Sequence, residues 1–190
     1  MEERRGQKPK LRVIKGGLVS AMLFGGLQIA ASPKEYPPFP VDAFVYEEDT
    51  FLVLSADPTP RDVKVPMARI MTRLIETQPQ APGSILIRGI VPLRLLAVVH
   101  DLNQDPSWKE EWIEKALEGV FQEAEGRSLS AVALPLLGTV HGTLESGRSV
   151  ALLAAVLGRT APRRLKRIWL MVQKGKAKKV IDELKARLNP

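Results

Sequence analysis

From Val41 onward, short apolar runs alternate with longer stretches in which apolar residues recur every three or four positions. The short runs are typical of buried strands, and the wider spacing is typical of helices with one buried face. This alternation predicts an α/β architecture. The predicted strands are Leu11–Ile14, Leu27–Ala31, Ala43–Tyr46, Phe51–Leu54, Ile85–Arg88, Leu95–His100, Ser130–Leu134 and Leu165–Val172.

Three of the apolar runs have no polar face at all, namely Leu95–Val99, Ala131–Leu134 and Ile168–Val172. Strands of this kind are buried on both faces, so we expect them at the centre of the sheet with helices on each side. The fold class predicted from these runs is therefore a three-layer α/β/α sandwich.

Four helices are predicted between the strands. In the second, Ser107 is the expected N-cap, and Glu110 three residues later completes a capping box. The helices are Pro66–Gln78, one that begins at Ser107, Glu145–Leu157 and Lys176–Leu188.

The length of 190 residues suits a single domain, with a core over residues 41–190 and an N-terminal extension over 1–40. In the extension we expect strand pairing at the sheet edge, followed by a proline-rich connector. The uncharged segment Gly16–Ala31 follows six basic residues, which is also how a secretory signal begins. Its four glycines and short length favour the strand interpretation, and with it a cytoplasmic protein that does not span a membrane.

Composition excludes several kinds of chemistry. The chain has no Cys and two His, which excludes thiolate catalysis and makes a metal site or a bound cofactor unexpected. The two asparagines and the abundance of Arg, Leu and Pro suggest a heat-adapted source.

The net charge of +7 is unevenly distributed, because residues 1–15 carry +4 and residues 163–190 carry +8. Basic ends of this kind are compatible with nucleic-acid contact or with a solvated surface. The two C-terminal clusters, 163–167 and 174–179, flank the last predicted strand and so lie at its opposite ends.

The most informative stretch is Ala131–Glu145, in which a buried strand leads through a glycine-containing loop into a helix. Backbone amides and the helix dipole at such a loop favour anions, and open α/β folds bind ligands at this edge of the sheet. The candidate anion-binding residues are Gly138, Thr139, Val140, His141 and Gly142.

These residues resemble the macro domain family. Leu134–Thr139 is similar to the family's segment of apolar strand, Pro, two apolar residues and Gly-Thr-Gly. Leu93–His100 is similar to its strand that ends in a His, and Val41–Val45 is similar to its Val-Asp-Ala-Ile-Val strand. The resemblance covers about residues 41–188. It implies a mixed, mostly parallel sheet and a cleft that binds ADP-ribose or a related phosphorylated nucleotide.

The chain departs from the family at four places, the first being Lys15–Gly17, which has Gly where the family has the acidic residue on the adenine side. Hydrolytic members have Asn-Ala-Ala-Asn where this chain has Tyr46–Asp49, and Ser55–Pro60 replaces a glycine-rich loop. Val140 stands at the middle glycine of the second loop, so a loop that needs positive φ there must follow another path. These departures are consistent with reduced affinity and favour binding without catalysis. The alternatives are an ADP-ribosyl hydrolase in which Asp49 or Glu48 positions water, and a nucleic-acid or protein interaction module.

Several polar residues also have purely structural interpretations. Glu47–Asp49 are expected in a solvated turn, and His100 as a hydrogen-bonded imidazole at the end of a buried strand. Trp108 and Trp112 are expected at the core and its margin.

Overall fold

A single mixed sheet organises the chain. The computed structural model describes residues 18–54, 78–160 and 162–188. Its strands are β1 (Ser20–Phe24), β2 (Leu27–Ser32), β3 (Ala43–Asp49), β4 (Ile85–Arg88), β5 (Leu93–His100), β6 (Ala131–Pro135) and β7 (Arg167–Met171). They lie in the order β1-β2-β7-β6-β3-β5-β4.

The five inner strands run parallel, and the edge strands β1 and β4 pair antiparallel with β2 and β5. The predicted mixed, mostly parallel sheet is therefore confirmed. The three fully apolar runs form β5, β6 and β7, and all three are internal strands as predicted. Because β3, β6 and β7 are parallel neighbours, their carboxyl ends meet at one edge of the sheet.

Three helices cover one face of this sheet. They are α1 (Glu110–Gly126), α2 (Ser146–Thr160) and α3 (Ala177–Leu188), with α2 packed between the other two. Their apolar sides form one cluster with side chains such as Ile29 and Val45 of the sheet. None of the helices in the described ranges is both long and apolar enough to cross a membrane.

Some predicted elements differ from the structure. Phe51–Leu54 is not a strand, because its amides donate to the carboxylates of Glu48 and Asp49 rather than to a neighbouring strand. Ser107 is not the N-cap of α1: Lys109 is, and the Ser107 hydroxyl bonds His100 instead. The sequence did not predict β1. Residues 11–14 and 66–77, predicted as a strand and most of a helix, lie outside the described residues.

The segment Gly16–Ala31 was interpreted from the sequence as a secretory signal or a strand, and residues 20–32 form the β1–β2 hairpin. β1 is the edge strand, whereas β2 lies between β1 and β7. Ile29 and Ala31 are fully buried in the core cluster. The second strand of this hairpin is therefore part of the core.

Asp42 joins the start of β3 to the start of β6. One of its carboxylate oxygens accepts hydrogen bonds from the Ser130 amide at 2.7 Å, the Ser130 hydroxyl at 2.8 Å and the Ala131 amide at 3.0 Å. Burial raises the pKa of the Asp42 carboxyl, but these bonds and nearby Arg167 outweigh it and hold the pKa below its usual 3.8.

Asp42→Ala is therefore expected to lower the free energy of unfolding by about 2 kcal/mol at neutral pH, because it removes charge-assisted hydrogen bonds. A lowered carboxyl pKa contributes stability above the unfolded-state value and loses it as the pH falls through the folded-state value. The difference between wild type and variant should accordingly shrink below about pH 4. Urea unfolding at several pH values measures the free energy of unfolding, with Asp182→Ala on the exposed side of α3 as control. A stability difference between wild type and Asp42→Ala that stays the same at acid pH would contradict the lowered pKa of Asp42.

Candidate functional site

The loop between β6 and α2 follows a tight path at the carboxyl edge of the sheet. The Leu144 amide donates to the Gly138 carbonyl at 3.1 Å, and the Ser149 hydroxyl donates to the Leu137 carbonyl at 2.9 Å. Gly138 has a φ of +85°, a conformation that favours glycine. Val140 has no positive φ, so the left-handed turn falls at Gly138 and the valine is accommodated.

The amides of this loop point at a buried carboxylate from β3. Glu47 Oε1 accepts from the amides of Gly138 at 2.7 Å and Val140 at 3.2 Å, and Oε2 accepts from the His141 amide at 3.0 Å. Sequence reasoning took these amides as free donors for a ligand phosphate. In the structure, three of them are bonded to Glu47.

Glu47 is also paired with His100, the last residue of β5. Their Oε2 and Nε2 atoms are 2.9 Å apart, and both side chains are fully buried. The His100 Nδ1 lies 3.0 Å from the Ser107 hydroxyl, which fixes the orientation of the ring. His100 is therefore the buried, hydrogen-bonded imidazole that the sequence indicated.

The next two acids stabilise the chain that leaves β3. Both oxygens of Asp49 accept from amides of residues 51–54, and Glu48 Oε1 accepts from the Leu54 amide at 2.7 Å. The solvated turn predicted for Glu47–Asp49 is wrong, because their exposures are 3%, 0% and 0%. Buried carboxylates are tolerated here because backbone N–H groups compensate their charge.

A cavity of about 970 Å³ opens at the carboxyl ends of β3, β6 and β7. Glu47, Thr139, Val140 and His141 are among the residues that line it. The aromatic rings of Phe44 and Tyr46 line another part. The size is that of a site for a small organic ligand.

Basic side chains surround part of this cavity. Lys174, Lys176 and Lys179, between the end of β7 and the first turn of α3, line it, and Lys34 lies in the segment that follows β2. Lys179 pairs loosely with Glu183 at 3.7 Å and stays 71% exposed. We call Lys174, Lys176 and Lys179 the lysine rim. Glu183, which also lines the cavity, offsets part of this charge, and the remaining positive charge makes this side of the cavity attractive to an anion.

The structure brings together only part of the site predicted from sequence. Thr139, Val140 and His141 line the cavity, whereas Gly138 is buried beneath the loop and Gly142 packs against Trp108 and His100. Asp49 and Glu48 are not among the described lining residues. No group of three His, Asp or Glu suited to a metal ion occurs in ranges 18–54, 78–160 and 162–188.

Sequence reasoning missed two parts of the cavity. The lysine rim was recognised as a charge cluster, but only the parallel pairing of β7 with β6 brings it to the same edge as the Gly138 loop. Pro33, Lys34 and Glu35 line the cavity from a segment read as a connector. Only the parallel pairing of β2 with β7 places the segment after β2 at the same edge of the sheet as the lysine rim.

Comparison with known proteins identifies the fold. The sequence matches no protein-family model and none of the curated proteins with which it was compared. The structure is similar to the Oceanobacillus iheyensis macrodomain with ADP, at 12% identity and a TM-score of 0.67, covering 90% of this chain and 96% of that chain. A mutant of that macrodomain with ADPR gives 11% identity and a TM-score of 0.66, covering 90% and 98%.

A Trypanosoma brucei macrodomain in complex with ADP is similar at 11% identity and a TM-score of 0.57, covering 85% of this chain and 69% of that chain. At these identities the comparisons concern the fold. The chain has the macrodomain α/β fold, as the resemblance in its sequence implied.

Proposed function

We propose that this protein binds ADP-ribose or a related phosphorylated nucleotide in the cavity at the carboxyl ends of β3, β6 and β7. The observation that carries the proposal is a ligand-sized cavity with a lysine rim at the edge where open α/β sheets bind their ligands. Neighbours of the same fold that hold ADP or ADPR support it.

The parts of the cavity suit the parts of a nucleotide. Phe44 and Tyr46 offer apolar ring surface for a base. The lysine rim offers positive charge for phosphate, and Thr139–His141 supply another part of the wall. The Gly138–Gly142 loop remains part of the proposed site, but through its cavity-facing residues rather than through the amides bonded to Glu47.

We propose binding without catalysis. Glu47 lines the cavity, but both of its oxygens already accept hydrogen bonds from loop amides, and its Oε2 lies 2.9 Å from His100 Nε2. The hydrolase suggested by the sequence would need Asp49 or Glu48 within reach of bound substrate, so that one of them could position water. Glu48 and Asp49 instead accept hydrogen bonds from the backbone of residues 51–54 and are fully buried. A cavity of ligand size beside the lysine rim also favours a small ligand over a nucleic-acid chain, which would contact basic groups along an extended surface.

Isothermal titration calorimetry with ADP-ribose, ADP, AMP and adenosine tests the proposal. We expect measurable binding of the phosphorylated ligands and weaker binding of adenosine, because adenosine has no charge for the lysine rim. Affinity for the phosphorylated ligands should fall as salt is raised, since exposed charges are screened. The absence of heat above buffer for all four ligands at millimolar concentration would reject a nucleotide-binding function.

A further inference from the structure

The Gly138–His141 loop forms an anion site whose anion belongs to the protein. Three amide N–H groups and the ring of His100 surround the two oxygens of Glu47 at 2.7 to 3.2 Å. Successive amides directed at one point are the usual way in which a protein backbone binds an anion. Here the position is filled by the side chain of β3.

The surroundings of Glu47 are built closely around it. A Cβ added at Gly142 would lie 2.5 Å from the Gly138 carbonyl oxygen and 3.1 Å from the His100 ring. The His141 ring stands edge-on to His100, with centroids 6.3 Å apart. The amides of Gly138, Val140 and His141 are therefore already bonded to the Glu47 carboxylate, in a loop packed tightly at Gly142. A phosphate could reach these amides only by displacing the carboxylate.

We propose that Glu47 is a specificity-determining residue, which closes the Gly138–His141 amides to ligand phosphate. The ligand phosphate then goes to the lysine rim, so the site selects nucleotides that carry their charge at that side of the cavity. Only this choice of nucleotide rests on the function proposed above. The exclusion of anions from the loop is a property of Glu47 itself and can be tested without any nucleotide.

Nuclear magnetic resonance of the backbone amides, with inorganic phosphate as the probe, tests the exclusion. The Gly138 amide is the best reporter, because it donates to Glu47 and lies beneath the loop rather than on the cavity wall. In wild type we expect no saturable shift of this amide. In Glu47→Ala, which vacates the position, phosphate should produce a saturable shift at Gly138, Val140 and His141, half-complete at least about tenfold below the highest concentration at which wild type shows none.

Glu111→Ala is the matched control, because it removes the same charge from an exposed position in the first turn of α1. It should behave like wild type. A saturable shift of the Gly138 amide in wild type, or its absence in folded Glu47→Ala, would overturn the proposal.

A stability measurement covers the case in which Glu47→Ala folds poorly. Formate is small enough to replace the missing carboxylate, so it should raise the melting temperature of this variant more than chloride at equal ionic strength. The same formate should leave wild type and Glu111→Ala unchanged. If Glu47→Ala does not fold even with formate, the phosphate titration of wild type decides alone.

The two proposals fail separately. Phosphate binding gained by Glu47→Ala, in a protein that binds no nucleotide, would reject the proposed function and retain the role of Glu47. If wild type binds nucleotide but its Gly138 amide also responds to phosphate, the role of Glu47 is rejected and the proposed function is retained.

Discussion

Trp169→Ala is expected to lower the free energy of unfolding by about 3–5 kcal/mol, the largest loss of stability among the substitutions considered. Trp169 lies at the middle of β7 and is 2% exposed. Its indole N–H donates to the Ser32 carbonyl at 3.3 Å, and its ring meets Phe44 edge-on with centroids 6.1 Å apart. Alanine would leave a cavity beside the sheet and remove one of two donors to the Ser32 carbonyl, the other being the Val172 amide at 3.0 Å.

Urea unfolding followed by far-ultraviolet circular dichroism measures this loss without relying on tryptophan emission. Trp112→Ala on α1 is the matched control, since that ring is only partly buried beneath Lys109. It should cost about 1 kcal/mol. Trp169→Phe keeps most of the ring and should fall between the two. Equal losses for Trp169→Ala and Trp112→Ala would contradict the position of Trp169 at the centre of the sheet.

The sheet was predictable because burial on both faces leaves a direct mark on the sequence. Leu95–Val99, Ala131–Leu134 and Ile168–Val172 contain no polar residue, and each forms an internal strand. Phe51–Leu54 shows where this reasoning fails. The segment is equally apolar, but its amides donate to the carboxylates of Glu48 and Asp49 and not to a neighbouring strand. Local hydrophobicity does not reveal where backbone donors will find their acceptors.

The candidate site was predictable only as a position in the fold. The strand–loop–helix over Ala131–Glu145 identified the edge of the sheet at which the cavity lies. The role of Glu47 was not visible, since it depends on amides of Gly138 and His141 more than 90 residues away along the chain. Three consecutive acids usually indicate a solvated turn, and only the tertiary structure shows the donors that make their burial favourable.

The position of the lysine rim beside the cavity was also not visible from the sequence. Lysines in and before the first turn of α3 oppose the helix dipole, so they do not stabilise that helix. From the sequence we inferred that a phosphate-rich partner would relieve this conflict, with nucleic acid as the candidate. In the structure these lysines line a cavity of ligand size, which favours the nucleotide proposed above.

Reversal of the lysine rim is expected to reduce nucleotide affinity about a hundredfold, because each reversed charge near a phosphate costs about 1 kcal/mol in a solvent-exposed setting. The variant is Lys174→Glu, Lys176→Glu and Lys179→Glu together. AMP and ADP should lose affinity, whereas adenosine should not, because it has no phosphate. The measurement is calorimetric titration at low and high salt, and the difference between wild type and variant should shrink as salt screens the rim.

A second triple variant separates the effect of the rim from the effect of net charge. It changes the net charge by the same amount but leaves the rim intact, and consists of Lys178→Glu, Lys185→Glu and Arg187→Glu. These three residues lie on α3 and are not among the described residues that line the cavity. At the working salt concentration their reversal should change affinity less than about threefold, since most of their field is screened. Equal losses for the two triple variants would mean that net charge rather than the rim attracts the ligand, and the phosphate would then have to be placed elsewhere in the cavity.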